Sequence, residues 1–167
     1  MKGENGSIPA FARDILQTLE GAGHEAYCVG GCVRDTLLGR TPGDWDITTS
    51  ARPEETLALF GADALPTGLR HGTVTVRRPD GSAEVTTFRR DGDYTDHRHP
   101  ESVAFTDSLT EDLARRDFTV NAMALSLRGE LRDPFHGRED LAAGRIRCVG
   151  EPARRFGEDA LRILRGL

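Results

Sequence analysis

Three observations on this 167-residue chain predict a mixed α/β (α+β) fold, a mixed sheet flanked by helices. Segments with helical spacing of apolar residues alternate with short β-branched runs. Gly-Gly, Pro-Gly and Asp-Gly turns punctuate the boundaries between them. The length matches one compact domain at roughly 150 residues per domain. A chain of that size hides about two thirds of its unfolded surface, so its core needs neither disulfides nor a structural metal. The net charge is -5, from 22 basic and 27 acidic side chains. No apolar run approaches the roughly 18 residues of a membrane span, and Met1 to Gly6 lack the apolar centre of a signal peptide. A soluble, cytoplasmic protein with no membrane partner is expected. The odd count of 3 cysteines fits a reducing compartment.

The elements follow in order. Ser7 and Pro9 open a helix carrying Phe11, Ile15 and Leu19 on one face, and Gly21 with Gly23 ends it. Ala26 to Val29 is a short strand that runs into Gly30-Gly31, after which Val33, Leu37 and Leu38 have helical spacing as far as Gly39. Thr41-Pro42-Gly43 is a turn. Trp45, Ile47 and Thr49 then alternate with Asp44, Asp46 and Thr48, so one strand face carries both aspartates and the other sends Trp45 to the core. Pro53 starts a helix through Leu57 and Phe60. Gly72 to Arg77 and Ala83 to Phe88 are β-branched runs joined across Pro79-Asp80-Gly81-Ser82, a hairpin signal. Residues 91–100 are polar and aperiodic and are expected to form a mobile loop. A helix around Leu109 and Leu113, an apolar run from Asn121 to Leu127, a short helix from Gly137 to Ala143, a strand-like run from Ile146 to Val149 and a helical end from Pro152 complete the chain.

Charge is unevenly distributed. Residues 1–137 hold 15 basic and 22 acidic side chains, whereas 138–167 hold 7 and 5. A polyanionic partner would meet the C-terminal end, whose basic residues are all arginine and suit planar, bidentate contact with phosphates or base edges. The alternative is compositional, because the whole chain has one lysine, Lys2.

The sharpest chemical feature is Gly30-Gly31-Cys32-Val33-Arg34-Asp35 followed by Asp44-Trp45-Asp46. Two glycines at a strand-to-helix turn let an anion approach bare backbone N–H groups, and Arg34 adds a forked donor for a second phosphate oxygen. Two aspartates at i, i+2 share one strand face about 7 Å apart at the backbone, and their carboxylates repel unless neutralised. Hard divalent cations with oxygen shells do this, and a pair of them about 4 Å apart can clamp the attacking and leaving oxygens of phosphoryl transfer. Taken singly, the glycines could be a plain tight turn and the aspartates a solvated strand end; together they indicate a phosphate and metal site. No G-x-G-x-x-G or G-x-x-x-x-G-K-[ST] motif is present. Cys28 and Cys32 straddle a strand and a helix without a second cysteine pair, which argues against zinc. His97 and His99 sit among Asp and Arg and are read as solvated.

These residues resemble a known family. Gly30-Gly31-x-Val33-Arg34-Asp35-x-Leu37-Leu38-Gly39 with Asp44-x-Asp46-x-x-Thr49 is similar to the signature of class II tRNA nucleotidyltransferases (CCA-adding enzymes) and bacterial poly(A) polymerases. The likeness continues through His71-Gly72-Thr73-Val74, Glu84-Val85-Thr86-Thr87-Phe88-Arg89, Arg115-Arg116-Asp117-Phe118-Thr119-x-Asn121-Ala122 and Asp133-Pro134-Phe135-x-Gly137-x-x-Asp140-Leu141. It ends at Glu158-Asp159-x-x-Arg162. Six ordered matches over about 150 residues are far more specific than one motif.

The resemblance implies a DNA polymerase beta-like nucleotidyltransferase fold, with residues 1–145 as the catalytic head and 146–167 as the start of a helical neck whose body and tail are absent. It implies that Asp44 and Asp46 hold Mg²⁺ in a two-metal site, with Glu84 as a third carboxylate, and that a primer 3′-hydroxyl attacks the α-phosphate of ATP or CTP. Gly30, Gly31 and Arg34 would meet the triphosphate, and Arg116, Asp117 and Asn121 the sugar and phosphates. Glu158, Asp159 and Arg162 would select the base. Asp159 and Arg162 at i, i+3 share a helix face, and an acceptor beside a donor complements the edge common to cytosine and adenine, although the same spacing also suits an intrahelical salt bridge. The loop at 91–100 resembles the segment that CCA-adding enzymes use to switch from C to A. The expected activity is CCA addition to tRNA, with tRNA gripped weakly by so short a form. Poly(A) addition and a nucleotide-binding module without turnover are the alternatives, and a small-molecule nucleotidyltransferase a more distant one.

Overall fold

The computed structural model describes residues 7–91 and 103–150. Its main body is a seven-stranded sheet in the order β3-β4-β5-β2-β1-β8-β9. The strands are β1 (Ala26–Val29), β2 (Asp46–Thr49), β3 (Ala64–Gly68), β4 (Thr73–Arg78), β5 (Gly81–Thr87), β8 (Ala124–Leu125) and β9 (Leu131–Arg132). Every pairing is antiparallel except β2 with β5, which run parallel. A separate antiparallel pair joins β6 (Arg89–Asp91) to β7 (Val103–Phe105). The helices are α1 (Ala10–Gly21), α2 (Gly31–Leu37), α3 (Pro53–Phe60), α4 (Leu109–Ala114) and α5 (Gly137–Ala142).

One face of the sheet is dry. Ala12, Ile15, Leu16 and Leu19 of α1 are all buried there, against Ala26, Cys28, Ile47, Val74, Val76, Ala83 and Val85 from four strands. Burial of each large aliphatic side chain stabilises by about 1.5–3 kcal/mol, which makes this layer the main source of cohesion. The buried stripe of α1 is rotated from the expected Phe11-Ile15-Leu19 line. Phe11 instead reaches the β4–β5 hairpin, where a Cβ on Gly81 would lie 2.5 Å from its ring. Trp45 is buried in the same layer, as its alternation with the aspartates predicts.

The opposite face is covered only in part. Val29, Leu113, Ala122, Ala124 and Val149 form a second apolar cluster beneath α4. The strand-like run at 146–149 returns to this cluster: the Val149 amide donates to Asp117 O and the Thr119 amide to Arg147 O, both at 2.9 Å. Beyond that cover the strands show polar side chains to solvent.

Several boundaries depart from expectation. β2 begins at Asp46, so Asp44 precedes the strand, although the parallel ladder reaches one residue further through the Glu84 amide and Trp45 O. The apolar run from Asn121 to Leu127 follows a short 3-10 turn (Thr119–Asn121) and contributes only a two-residue strand. Leu125 and Ala124 are wedged between β1 and β9, and tertiary pairing rather than local pattern sets their length. Most of the loop at 91–100, with His97 and His99, and the whole segment from Glu151 to Leu167 lie outside the described residues.

Candidate active site

The open face carries its acidic residues in register. Asp46 of β2 is the direct partner of Glu84 on β5, and Glu84 is the partner of Thr75 on β4. Adjacent strands are about 4.8 Å apart, so the two carboxylates stand side by side. Asp44 lies two residues before Asp46, and Ser82 two residues before Glu84, paired with Arg77. Asp44, Asp46 and Glu84 are all exposed. Alternation explains the arrangement: Ala83 and Val85 point into the dry layer, so Glu84 must point out.

The carboxylates feel one another. Partial desolvation and then the charge of Glu84 raise the Asp46 carboxyl above its ordinary pKa; Arg116 opposes them and Asp44 adds to them. The donor set is oxygen only and its net charge is unbalanced, which fits a hard divalent cation. Among the described residues no three or more His, Cys, Asp or Glu side chains are grouped closely enough to hold a metal ion by themselves.

A second group borders the carboxylates on the β1 side. β1 pairs with β2 so that Val29 faces Asp46, and the chain then turns at Gly30. Gly30 has φ 81° and ψ -138°, a conformation that L side chains avoid. Its bare Cα faces Arg116, whose Nη1 would lie 3.7 Å from an added Cβ. Gly31 is packed by Arg34 in the same way at 3.3 Å. The turn is therefore lined by two guanidinium groups.

Those guanidiniums are held by a relay. Arg34 donates through Nη1 to Asn121 Oδ1 at 2.9 Å and through Nε to Asp35 at 3.0 Å. Asn121 in turn donates through Nδ2 to Asp117 Oδ1 at 3.4 Å, and the same oxygen accepts the Phe118 amide at 2.7 Å. Asp117 is buried, so its contribution reaches the turn through Asn121. Burial and the neighbouring Arg115 pull the Arg116 pKa down while Asp112 and Asp46 hold it up. The Arg116 Nε–H is buried and has no hydrogen-bond partner among the described residues, next to the glycine turn. Gly30, Gly31, Arg34, Arg116, Asp117 and Asn121 thus come together from two separate stretches of chain, and Asp44, Asp46 and Glu84 adjoin them. Glu158, Asp159 and Arg162 lie outside the described residues.

One residue of the site region escapes the sequence reading. Asp112 is fully buried and accepts from Thr48 Oγ1 at 3.0 Å, the Arg89 amide at 3.1 Å, Arg115 Nε and Arg116 Nη2 each at 3.3 Å. Burial works against its ionisation, but Arg115, Arg116 and these hydrogen bonds outweigh it and the carboxyl sits below its ordinary pKa. The signal was available as an acid at i-3 and i-4 from an arginine pair. Nothing local distinguishes that spacing from a solvated helix end.

Residues 26–147 match the family described as Poly A polymerase head domain. The chain belongs to that family. Membership carries the nucleotidyltransferase fold, and the site just described occupies its sheet. The chain is also 56% identical over 156 residues to the CCA-adding enzyme of Lactobacillus helveticus, covering 93% of this chain and 39% of that one. Among solved structures it is similar to the Bacillus stearothermophilus CCA-adding enzyme in complex with CTP, with TM-score 0.84, 49% identity, and coverage of 92% of this chain and 36% of the other. The Thermotoga maritima CCA-adding enzyme complexed with tRNA_CCA matches with TM-score 0.73, 27% identity, and coverage of 96% and 37%. The chain therefore spans about two fifths of the length of the curated relatives it matches.

Proposed function

We propose that this chain is the nucleotide-transfer head of an enzyme that adds CMP and AMP to the 3′ end of tRNA. The observation that carries the proposal is the register pairing of Asp46 with Glu84 beside a glycine turn lined by Arg34 and Arg116. The similarity to CCA-adding enzymes, one of them in complex with CTP and one with tRNA, supports CCA addition in particular.

Arg34, oriented by Asn121, and Arg116, whose Nε–H has no partner among the described residues, would bind the β- and γ-phosphates over the bare backbone of Gly30 and Gly31. Asp117 holds Asn121 in place and so fixes Arg34. Asp44 and Asp46 would hold Mg²⁺ with Glu84 beside them; such an ion, when bound, offsets charge on the transferring phosphoryl group and lowers the pKa of the attacking hydroxyl. With the triphosphate so positioned, pyrophosphate departs toward the two arginines, which stabilise its developing charge. Asp159 and Arg162 would read the amine donor and ring-nitrogen acceptor that cytosine and adenine share, and Glu158 would support them.

The test is direct. The chain at high concentration is incubated with Mg²⁺, a tRNA lacking its 3′ CCA, and each NTP in turn, and the products are sized. Growth limited to CCA is expected. Unlimited growth with ATP alone would reassign the chain to poly(A) addition, and absence of growth with intact CTP binding would leave a nucleotide-binding module. Replacing Arg162 by Ala should admit UTP and GTP at least tenfold more readily; an unchanged nucleotide preference removes the base-reading role.

A further inference from the structure

Two thiols flank the glycine turn and take no part in the proposed transfer. Cys28 is on β1 and Cys32 in the first turn of α2, so only Val29, Gly30 and Gly31 separate them. Both side chains enter the dry layer, where Cys28 is 0% and Cys32 3% exposed. The Cys28 thiol donates to Cys32 Sγ, which favours the thiolate form of Cys32 over that of Cys28. Cys32 donates in turn to Val29 O at 3.3 Å and lies 3.9 Å from Asp46 O. The two sulfurs are therefore in contact across the turn, and both are free thiols.

The two cysteines differ in freedom. Cys28 is fixed by both neighbours of β1, opposite Ile47 of β2 and Leu125 of β8. Cys32 belongs to a seven-residue helix whose first amides bond back to Gly30 O, Val33 at 3.1 Å and Arg34 at 3.2 Å. A disulfide draws two sulfurs from van der Waals contact to about 2 Å. That shortening is taken up where the backbone is most pliable, in Gly30, Gly31 and the first turn of α2. Arg34 stands two residues beyond Cys32, so its bond to Asn121 and its packing over Gly31 depend on where that turn lies.

We propose that Cys28 and Cys32 form a peroxide-sensitive dithiol whose oxidation to a disulfide distorts the glycine turn and releases the nucleotide. This rests on the reading of Gly30, Gly31 and Arg34 as the triphosphate seat. Cys32 is the more exposed sulfur and meets hydrogen peroxide first. Its thiolate attacks one oxygen, the O–O bond breaks, and the departing hydroxide takes up the thiol proton to leave as water. The Cys28 sulfur then attacks the Cys32 sulfenic acid. The S–S bond forms as the S–O bond breaks, and the Cys28 proton leaves with that oxygen as a second water. Two thiols lose two electrons and two protons, and one peroxide becomes two waters. The second thiol is already in contact with the sulfenic acid, so condensation outruns further oxidation. A small dithiol reverses the step by exchange.

The test treats the reduced full chain and its Cys32→Ala variant with hydrogen peroxide. Free thiols are counted after denaturation, CTP binding is titrated, and the tryptic peptide 14–34 is weighed. That peptide holds both cysteines and has no internal Lys or Arg. In the wild type the thiol count should fall from 3 by the two of the pair, and the peptide should lose two hydrogens. The Kd for CTP should rise about tenfold, as for one lost charged hydrogen bond, and return on reduction. Cys32→Ala should bind CTP as the reduced wild type does and keep that affinity in peroxide. Thiols that persist, a peptide that gains oxygen instead, or a disulfide form that binds CTP unchanged would each overturn the proposal. So would a Cys32→Ala chain that loses CTP in peroxide. Should Cys32→Ala misfold, Cys28→Ser serves the same comparison. Failure of the transfer reading is distinct: the reduced chain would bind CTP and join no nucleotide, and peroxide would still release the CTP.

Discussion

The two faces of the central sheet are built from the same strands and do opposite work. On β5, Ala83 and Val85 are buried while Ser82 and Glu84, their immediate neighbours, are exposed. On β2, Ile47 is buried and Asp46 is not. The apolar face supplies cohesion and leaves the acidic face free to carry side chains that repel one another. A carboxylate cluster of this kind is a destabilising feature that the packed layer beneath it has to offset.

The most forceful way to break the comparison is to neutralise the acidic face. Asp46→Asn should lower kcat by at least about a thousandfold, the loss of several kcal/mol of transition-state stabilisation. Without added metal the same variant should melt at the wild-type temperature or slightly above it, because a repulsion with Glu84 and Asp44 is removed. Addition of Mg²⁺ should raise the melting temperature of the wild type and not of Asp46→Asn. A variant that keeps its activity, or that melts well below the wild type, would show that the acids are structural.

The dry face should answer the other way. Leu16→Ala removes a fully buried side chain and should cost about 2–5 kcal/mol, read by denaturant unfolding. The folded fraction should keep its kcat and its nucleotide affinity. A drop in kcat per folded molecule would mean that the two faces are mechanically coupled.

Asp112 ties the acidic face to its arginines, since it binds β2 through Thr48 and the arginine pair of the site through Arg115 and Arg116. Asp112→Ala leaves two arginines facing a buried gap and should cost about 3 kcal/mol, the lower end for a broken buried pair because both arginines keep some solvent contact. Its native pKa is depressed, so its contribution is fully present above the unfolded value of about 4 and fades as pH falls through the lower native value. The wild type should therefore lose stability on acidification below about pH 4, and Asp112→Ala should lose less over the same interval.

Much of this architecture was legible in the chain. β1 has the expected bounds, and the alternation on β2 and β5 places Asp46 and Glu84 outward because a period of two leaves no other option once their neighbours are buried. The order of strands was not legible. Asp46 meets Glu84 only because β2 and β5, separated by two strands in the chain, become parallel neighbours. β3 carries Pro66 and Gly68, which mask it as a turn and are tolerated because it is an edge strand. β6 and β7 pair across an intervening polar segment that hides their relation. The arginine pair at 115–116 could be assigned to a nucleotide only through family resemblance. Its local spacing says helix end, and the contacts that matter, Gly30 and Asp112, are set by tertiary packing.

The smallest expected effect is the most discriminating. Thr48→Val keeps the shape of the side chain and removes one buried hydrogen bond to Asp112, 3.0 Å in length. A bond of this kind contributes about 1.5 kcal/mol or somewhat more when its acceptor is charged, so the melting temperature should fall by roughly 3–6 °C in a domain of this size. The remaining three donors still hold the Asp112 carboxylate, and Arg116 should stay over the glycine turn. The KM for CTP is then expected to change less than twofold. If it rises severalfold while stability falls only by this amount, Thr48 steers Arg116 through Asp112. A double-mutant cycle with Asp112→Asn then separates the two: coupling confined to stability keeps Asp112 a structural hub, and coupling in KM makes it a positioning residue for the nucleotide.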